Sequence, residues 1–215
     1  MKVIVIGANG QVGKHIVRLL EADSNYSVTA MVRKEEQKKA YEENGVKAVL
    51  GNLEDGVDEL TKVIEGHDAV IFTAGSGSKT GPDKTLLVDL DGAVKSMEAA
   101  EKAGANRFIM VSAIQAHNRE SWKNSPIRPY FTAKHYADRE LMRSNLNYTI
   151  VRPGGLTNDP GTGMVEAKEN LERSTIPRED VARTVVAALK EENTYRRSFD
   201  LVSGNTPVEA ALKNL

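Results

Sequence analysis

The sequence of residues 3–13, VIVIGANGQVG, decides the fold. Its first four residues are apolar and indicate a buried strand, and three glycines follow with the spacing G-x-x-G-x-x-G. The amphipathic run of residues 14–21 then indicates a helix, whose N-terminal amide groups favour an anion. Glycines in such a unit make the tight turn, allow the backbone to approach a pyrophosphate and allow the helix to pack closely. The stretch therefore predicts a nucleotide-binding loop. Its binding residues are predicted to be Gly7, Asn9, Gly10, Gln11, Val12 and Gly13.

The composition is typical of a globular protein of one domain. The chain has 215 residues, 27% of them charged, and its net charge of -1 gives no indication of a nucleic-acid partner. It contains no cysteine, which excludes disulfides and thiolate chemistry. The four histidines lack the spacing of metal ligands, so no metal site is expected. No apolar run approaches the ~18 residues of a membrane span, and we expect a cytoplasmic monomer or homodimer with no membrane partner.

Strands and helices alternate along the rest of the chain. Strands are predicted at residues 27–33, 46–50, 68–73, 107–111, 148–152 and 199–202. Helices are predicted at residues 35–44, near 60–64, at 83–103, 130–144 and 177–189, and after 207. This order predicts an α/β fold with a doubly wound, mostly parallel sheet and helices on both faces. Within the single domain 1–215, residues 153–176 and the C-terminal tail are expected to form a small region that covers the substrate.

The end of the second predicted strand bears on the choice of cofactor. In a dinucleotide fold this strand end meets the adenosine ribose, where an acid selects the 2'-hydroxyl and an arginine suits a 2'-phosphate. Arg33 and Lys34 occupy this place, which favours NADP(H) over NAD(H). A solvated helix start is the alternative interpretation of the same pair.

Two further strand ends extend the predicted site. Asn52 and Leu53 follow the third strand, where a polar side chain could reach an adenine edge. Ala74 and Gly75 begin a loop of small residues that runs to Ser78, after the fourth strand. Because ligands bind outside the carboxyl ends of strands in open α/β sheets, this loop lies beside the glycine loop if strands one and four are neighbours.

Residues 83–103 predict one long helix. Its apolar residues, Leu86 and Leu87 among them, recur at helical spacing. Asp89 and Asp91 of this helix are interpreted as surface or locally hydrogen-bonded groups and not as a pair of catalytic carboxylates. A polar loop over residues 115–129 follows the fifth strand and is a candidate cover for a ligand.

The candidate chemistry lies in Tyr130-Phe131-Thr132-Ala133-Lys134. Residues at i and i+4 share one helix face, and Tyr130 is the only one of the six tyrosines with a lysine four positions later. A lysine ammonium stabilises a nearby phenolate, so Lys134 is expected to lower the pKa of Tyr130. Tyr130 would exchange a proton with a carbonyl or alcohol oxygen while a nicotinamide cofactor carries the hydride. Lys134 can also hold ribose hydroxyls of the cofactor.

The chain resembles the short-chain dehydrogenase/reductase superfamily, in particular its compact atypical members with NmrA-like or NAD-dependent epimerase/dehydratase-like NAD(P)-binding Rossmann domains. The resemblance covers nearly the whole length and rests on the glycine motif, the Tyr130–Lys134 pair and the sequence Arg152-Pro153-Gly154. It implies NADP as cofactor, with NAD as the alternative, and places Pro153 beside the nicotinamide. The implied function is an NADP(H)-binding oxidoreductase or epimerase-like enzyme acting on a small carbonyl, sugar-derived or flavin-like substrate. The family also includes redox-sensing regulators without turnover, so a non-catalytic NAD(P)-sensing protein is the alternative.

One position departs from the pattern of the catalytic members. In those members a serine or threonine after the fifth strand polarises the substrate oxygen, and here Ala113 stands at that position. Ser112, one residue earlier, is the remaining candidate, although neighbouring side chains of an extended segment point to opposite faces. Loss of one donor at a developing oxyanion costs about 3 to 4 kcal/mol. Gln115 and His117 are the alternative donors.

Overall fold

A β-sheet forms the centre of the molecule, as the alternation of strands and helices predicts. The computed structural model describes residues 1–77 and 80–215, so that Ser78, the last residue of the predicted small-residue loop, lies outside the described residues. Strands β1 to β11 are, in chain order, Lys2–Ile6, Ser27–Val32, Lys47–Leu50, Ala69–Phe72, Arg107–Val111, Asn147–Pro153, Gly155–Thr157, Met164–Lys168, Thr175–Pro177, Arg197–Ser203 and Thr206–Pro207.

The main sheet is mostly parallel, as predicted. Over the described residues it has nine strands in the order β11-β8-β10-β6-β5-β4-β1-β2-β3. Among the described strands of this sheet, β8 alone is reversed, and it pairs antiparallel with β10 on one side and β11 on the other. β1 lies between β2 and β4. From β1 the chain adds β2 and β3 on one side of the sheet, and then β4, β5 and β6 on the other. A crevice at such a switch point is the usual ligand site of an open α/β sheet.

Helices cover both faces of this sheet. Helices α1 to α9 are, in chain order, Gln11–Glu21, Glu35–Glu42, Val57–Ile64, Pro82–Lys84, Gly92–Ala103, Arg119–Trp122, Arg128–Arg143, Arg178–Ala188 and Val208–Lys213. Val3 and Val5 of β1 pack with apolar residues of α1, α8 and α9, whereas Ile4 and Ile6 pack with those of α3, α5 and α7. The alternation follows from the two-residue period of a strand, and burial on both faces explains why β1 is apolar throughout.

The prediction of one uninterrupted helix over residues 83–103 was wrong. Residues Thr85–Asp91 form a π-helical segment between α4 and α5. The wider turn changes which side chains face the core, so that Leu86 and Leu87 are 56% and 39% exposed while Asp89 is 1% exposed. Of the two interpretations given for Asp89, the surface group was therefore wrong, and its carboxylate instead accepts a hydrogen bond from the N–H of Ser76.

The region after β6 is more regular than the sequence suggested. β7 and β9 form a separate two-stranded sheet, and β8 extends the main sheet. These strands have only three to five residues, too few for a two-residue period to be recognised. The polar loop over residues 115–129 contains the short helix α6, whose first turn is capped by the side chain of Asn118.

Within residues 1–77 and 80–215, every helix falls short of the length and apolar character that a membrane crossing requires.

Candidate functional site

The glycine loop is a tight turn held against the loop after β4. Gly7 has a φ of +87°, and a Cβ on it would lie 2.6 Å from the backbone nitrogen of Ala74. The N–H of Gly10 donates to the carbonyl of Gly7 at 2.9 Å, which closes the turn. A Cβ on Gly13 would lie 2.3 Å from the same carbonyl oxygen. Only glycine fits these close approaches, and they bring the N-terminus of α1 to the carboxyl end of β1.

A cavity of about 270 Å³ adjoins this loop on the side of β2 and β3. It brings together the residues predicted to hold the adenosine end of a cofactor, namely Gly7, Asn9, Gly10, Arg33, Asn52 and Leu53. Gln37 lines it too, and its side-chain oxygen accepts the N–H groups of Arg33 and Lys34, each at 3.3 Å. Lys34 itself is not among the described lining residues, and its Nζ lies 3.4 Å from Glu36.

A larger cleft of about 790 Å³ continues from the other side of the glycine loop. The predicted site residues that line it are Gly10, Gln11, Val12, Ala74, Gly75, Ser112, Tyr130, Lys134 and Pro153. Gly13 is not among the described residues that line the cavity or the cleft. It is buried in α1, where it allows close packing. The cleft and the cavity share Gly10, Thr73, Ala74 and Gly75, so they adjoin each other; together they are called the groove, which lies across the carboxyl ends of the strands.

Lys134 lies in this cleft with a partner that the sequence did not reveal. Its ammonium is 3.4 Å from Oδ1 of Asp89 and 3.5 Å from the carbonyl of Val111. The other carboxylate oxygen of Asp89 accepts the N–H of Ser76 at 2.9 Å. Asp89 therefore connects the loop after β4 with α7. The π-helical segment turns Asp89 inward, in keeping with the frequent occurrence of such segments at functional sites.

The expected lowering of the Tyr130 pKa is not what the structure gives. Burial raises the pKa of Tyr130, and the nearby carboxylate of Asp89 acts in the same direction. The ammonium of Lys134, 5.6 Å from the centre of the ring, opposes this rise without overcoming it. For Lys134, burial lowers the pKa, but the neighbouring Tyr130 and Asp89 outweigh it and the net direction is upward. Tyr130 is consequently a protonated phenol at neutral pH.

Ser112 and Ala113 both line the cleft. The hydroxyl oxygen of Ser112 is buried and makes no hydrogen bond with the described residues. The alternative donors, Gln115 and His117, are not among the described lining residues. The amide of Gln115 instead donates to the carbonyl of Leu171 at 2.7 Å. Of the three candidate donors after β5, Ser112 is therefore the one that lines the cleft.

Two buried carboxylates support this half of the site. Asp200 of β10 accepts the N–H groups of Gln115 and Leu171, both at 3.1 Å. Burial raises the pKa of Asp200, and these two donors act against that rise. Asp138 of α7 pairs with Arg152 of β6, with 2.7 Å between Oδ2 and Nε. The sequence gives no local signal for these contacts, because Asp200 is 85 residues from Gln115 and Asp138 is 14 residues from Arg152.

Comparison with known proteins identifies the family. Residues 7–192 match a family described as NAD(P)H-binding. The chain belongs to the NAD(P)H-binding family. A protein of Bacillus subtilis named an uncharacterized sugar epimerase, YhfK, is 59% identical over 215 residues that cover all of both chains.

Solved structures agree with this assignment. A protein of Bacillus halodurans, provisionally named an NAD-dependent epimerase/dehydratase, is 39% identical with a TM-score of 0.93 and full coverage of both chains. The oxidoreductase ylbE of Lactococcus lactis is 36% identical with a TM-score of 0.91, over 100% of this chain and 96% of that one. The predicted Rossmann-like fold and the resemblance to NAD-dependent epimerase/dehydratase-like NAD(P)-binding proteins are confirmed.

Members of the NAD(P)H-binding family take a dinucleotide, and the residues present here fit such a group. The glycine loop forms a cradle that side chains would fill. Among the described residues, the buried ammonium of Lys134 has the two long contacts at 3.4 and 3.5 Å, although it carries three donors. Lys134 therefore retains hydrogen-bonding capacity toward ligand hydroxyls in the cleft.

Proposed function

We propose that this protein is an NADP(H)-dependent oxidoreductase or epimerase-like enzyme that acts on a small carbonyl, sugar-derived or flavin-like substrate. The observation that carries the proposal is the position of Tyr130 and Lys134, which line the cleft that continues from the glycine loop. A bound nicotinamide supplies or accepts a hydride. The protein must then supply a proton and stabilise charge on the substrate oxygen.

Tyr130 is the proposed proton donor. Burial raises its pKa, so the phenol holds its proton at neutral pH and gives it only to a more basic oxygen, such as the alkoxide that forms when hydride adds to a carbonyl. The fixed charge of Lys134 then stabilises the phenolate that forms. In the reverse direction the phenolate of Tyr130, the minor form at neutral pH, accepts the proton of an alcohol.

Asp89 is the proposed positioning residue for Lys134. A buried ammonium needs a partner, and the Asp89 carboxylate, itself 1% exposed, supplies one at 3.4 Å. Ser112 is the proposed additional hydroxyl, although its buried oxygen makes it a weaker candidate than Tyr130.

The cofactor is proposed to lie along the groove, with the glycine loop at its pyrophosphate and Asn9, Asn52 and Leu53 at its adenosine. Arg33 is proposed to bind the 2'-phosphate, since it lines the adenosine cavity and is exposed. Pro153, Ala74 and Gly75 are proposed to border the nicotinamide, since all three line the large cleft.

Replacement of one hydroxyl tests the catalytic assignment. NADPH oxidation is followed with a panel of ketoses, aldehydes, quinones and free flavins, and epimerisation by deuterium uptake from heavy water. On the substrate that reacts, Tyr130→Phe is expected to lower kcat by about 10²- to 10⁴-fold and to leave the Kd of NADPH unchanged.

Tyr136→Phe is the matched control. Tyr136 lies on the same helix, is 40% exposed and accepts a hydrogen bond from Arg119 outside the cleft, so full turnover is expected. Full turnover of Tyr130→Phe would remove Tyr130 from the mechanism. Tight binding of NADPH without hydride transfer to any compound of the panel would favour the redox sensor instead.

A further inference from the structure

The charges of the large cleft are unbalanced. Its described lining includes four charged side chains, and Asp89 is the only carboxylate among them. Asp89 is neutralised by Lys134. Arg173 and Arg178 remain, and each is free of a carboxylate partner among the described residues. The cleft therefore carries two positive charges in excess.

Arg173 is held over an aromatic surface. Its guanidinium carbon lies 4.9 Å from the centre of the Phe131 ring, which stacks on Trp122 with 6.1 Å between ring centres. The contacts of Arg173 with the carbonyl and hydroxyl oxygens of Ser121 are both 3.5 Å, at the limit of hydrogen bonding. Cation–π contact thus orients the guanidinium while most of its donors remain available.

Arg178 is fixed through one nitrogen. Its Nη1 donates to the carbonyl of Leu156 at 3.2 Å and to the side-chain oxygen of Asn158 at 2.9 Å. These two bonds anchor the guanidinium at the N-terminus of α8. Its other nitrogens remain to bind an oxygen anion, which a guanidinium can take in a bidentate manner.

The walls near these arginines are apolar. Ile127 and Leu156 line the cleft although they are 54% and 37% exposed. Pro126, Pro129 and Phe131 continue this surface. Exposed apolar side chains gathered in a concave site favour an apolar ligand.

We propose that the substrate is an apolar molecule that carries a carboxylate or phosphate group, and that Arg173 and Arg178 bind this anion. That such a molecule is turned over rests on the proposed function. That it binds rests on the lining of the cleft alone. The proposal narrows the substrate to acidic compounds, because the guanidinium groups of Arg173, which is exposed, and Arg178, which is half-buried, offer donors to the cleft that an anion would take and a neutral apolar ligand would not.

Two fluorescent probes that differ in charge test the binding claim. Anilinonaphthalene sulfonate is flat, apolar and anionic, and N-phenylnaphthylamine is its uncharged counterpart. On protein saturated with NADP+, we expect the anionic probe to bind about tenfold more tightly. Arg173→Gln and Arg178→Gln are each expected to weaken the anionic probe by about tenfold and to leave the neutral probe and NADPH unchanged.

Arg128→Gln is the control, because Arg128 is an exposed arginine at the start of α7 outside the described cleft lining. It should bind both probes like the wild type. Equal affinity for the two probes, or an unchanged affinity of both cleft variants for the anion, would overturn the proposal. A comparable loss of NADPH affinity would overturn it too, since the guanidinium would then serve the cofactor phosphates. Dye binding needs no turnover, so inactivity of the enzyme would count against the proposed function alone.

Discussion

The two halves of the groove are built in different ways. The cavity proposed for the adenosine is made mostly from residues 6–53 and the loop after β4, with its glycines, Arg33 and Asn52 at successive strand ends, and only Val88 comes to its described lining from the π-helical segment. The large cleft draws on the π-helical segment, α7 and the strands after β6, which are far apart in the chain. The cavity proposed for the adenosine is thus built by turns that are close together in the chain, and the cleft proposed for the substrate by contacts between distant elements.

The largest effect is expected in the cofactor half. Gly7→Ala combines a positive φ with a Cβ 2.6 Å from the Ala74 nitrogen, whereas Gly45→Ala has a similar φ of +79° and open space. Both variants carry the left-handed backbone cost of about 1 to 2 kcal/mol. Only Gly7→Ala is expected to lose a further ~3 kcal/mol of unfolding free energy and about 100-fold in NADPH affinity. Denaturant unfolding and calorimetric titration measure both quantities, and equal behaviour of the two variants would break the comparison.

In the substrate half, the largest loss is expected from Asp89→Asn. This change leaves the ammonium of Lys134 buried beside a neutral amide, which costs about 3 to 5 kcal/mol of unfolding free energy. Asp91→Asn is the control, because Asp91 forms an exposed pair with Lys95 at 2.8 Å and its loss costs about 0.5 kcal/mol. Urea unfolding of the two variants gives the difference. A similar small cost for both would mean that Asp89 does not hold Lys134.

The same variant should change the pH profile. The carboxylate of Asp89 helps to raise the pKa of Tyr130, so its removal lowers that pKa. In the direction of carbonyl reduction the phenol must be protonated, and kcat falls once pH exceeds its pKa. We therefore expect the alkaline limb of the kcat profile to move to lower pH in Asp89→Asn and to stay in place in Asp91→Asn. An alkaline limb that stays in place in Asp89→Asn would mean that a group other than Tyr130 controls it.

These two regions also differ in how far the sequence predicted them. The glycine roles, Arg33 and Asn52 followed from strand ends, because a parallel sheet brings such ends to one edge. Asp89 did not follow, because recognition of its position requires knowledge of the π-helical segment. Arg173 lies in a loop without periodicity, so only the folded chain places it over Phe131. The direction of the Tyr130 pKa was wrong because spacing shows the neighbouring lysine but not the burial.

A smaller effect is expected at the adenosine end. Arg33→Ala should weaken NADPH by about tenfold and leave NADH unchanged, since only NADPH carries the 2'-phosphate. Lys34→Ala should change neither, because Lys34 lies near Glu36 and outside the described cavity lining. Equilibrium titrations of both variants with both nucleotides check this. An equal loss for NADH would show that Arg33 acts on another part of the cofactor.

The smallest effect is expected outside the groove, where Glu179 of α8 pairs with Arg18 of α1. Hydrogen bonds from Arg183 and from the N–H of Gly161, together with Arg18 of α1, lower the pKa of Glu179 from 4.5 to about 2. Its contribution to stability is present above pH 4.5 and is lost as pH falls toward 2. Glu179→Gln should therefore flatten the loss of stability over this range, as followed by thermal unfolding. An unchanged acid profile would show that other carboxylates control it.

A crystal structure of the complex with NADP+ tests the central claim most directly. We expect the nicotinamide in the large cleft, within contact of Tyr130 and Lys134, and the 2'-phosphate at Arg33. A dinucleotide bound with its nicotinamide away from Tyr130, or with its 2'-phosphate away from Arg33, would contradict this account.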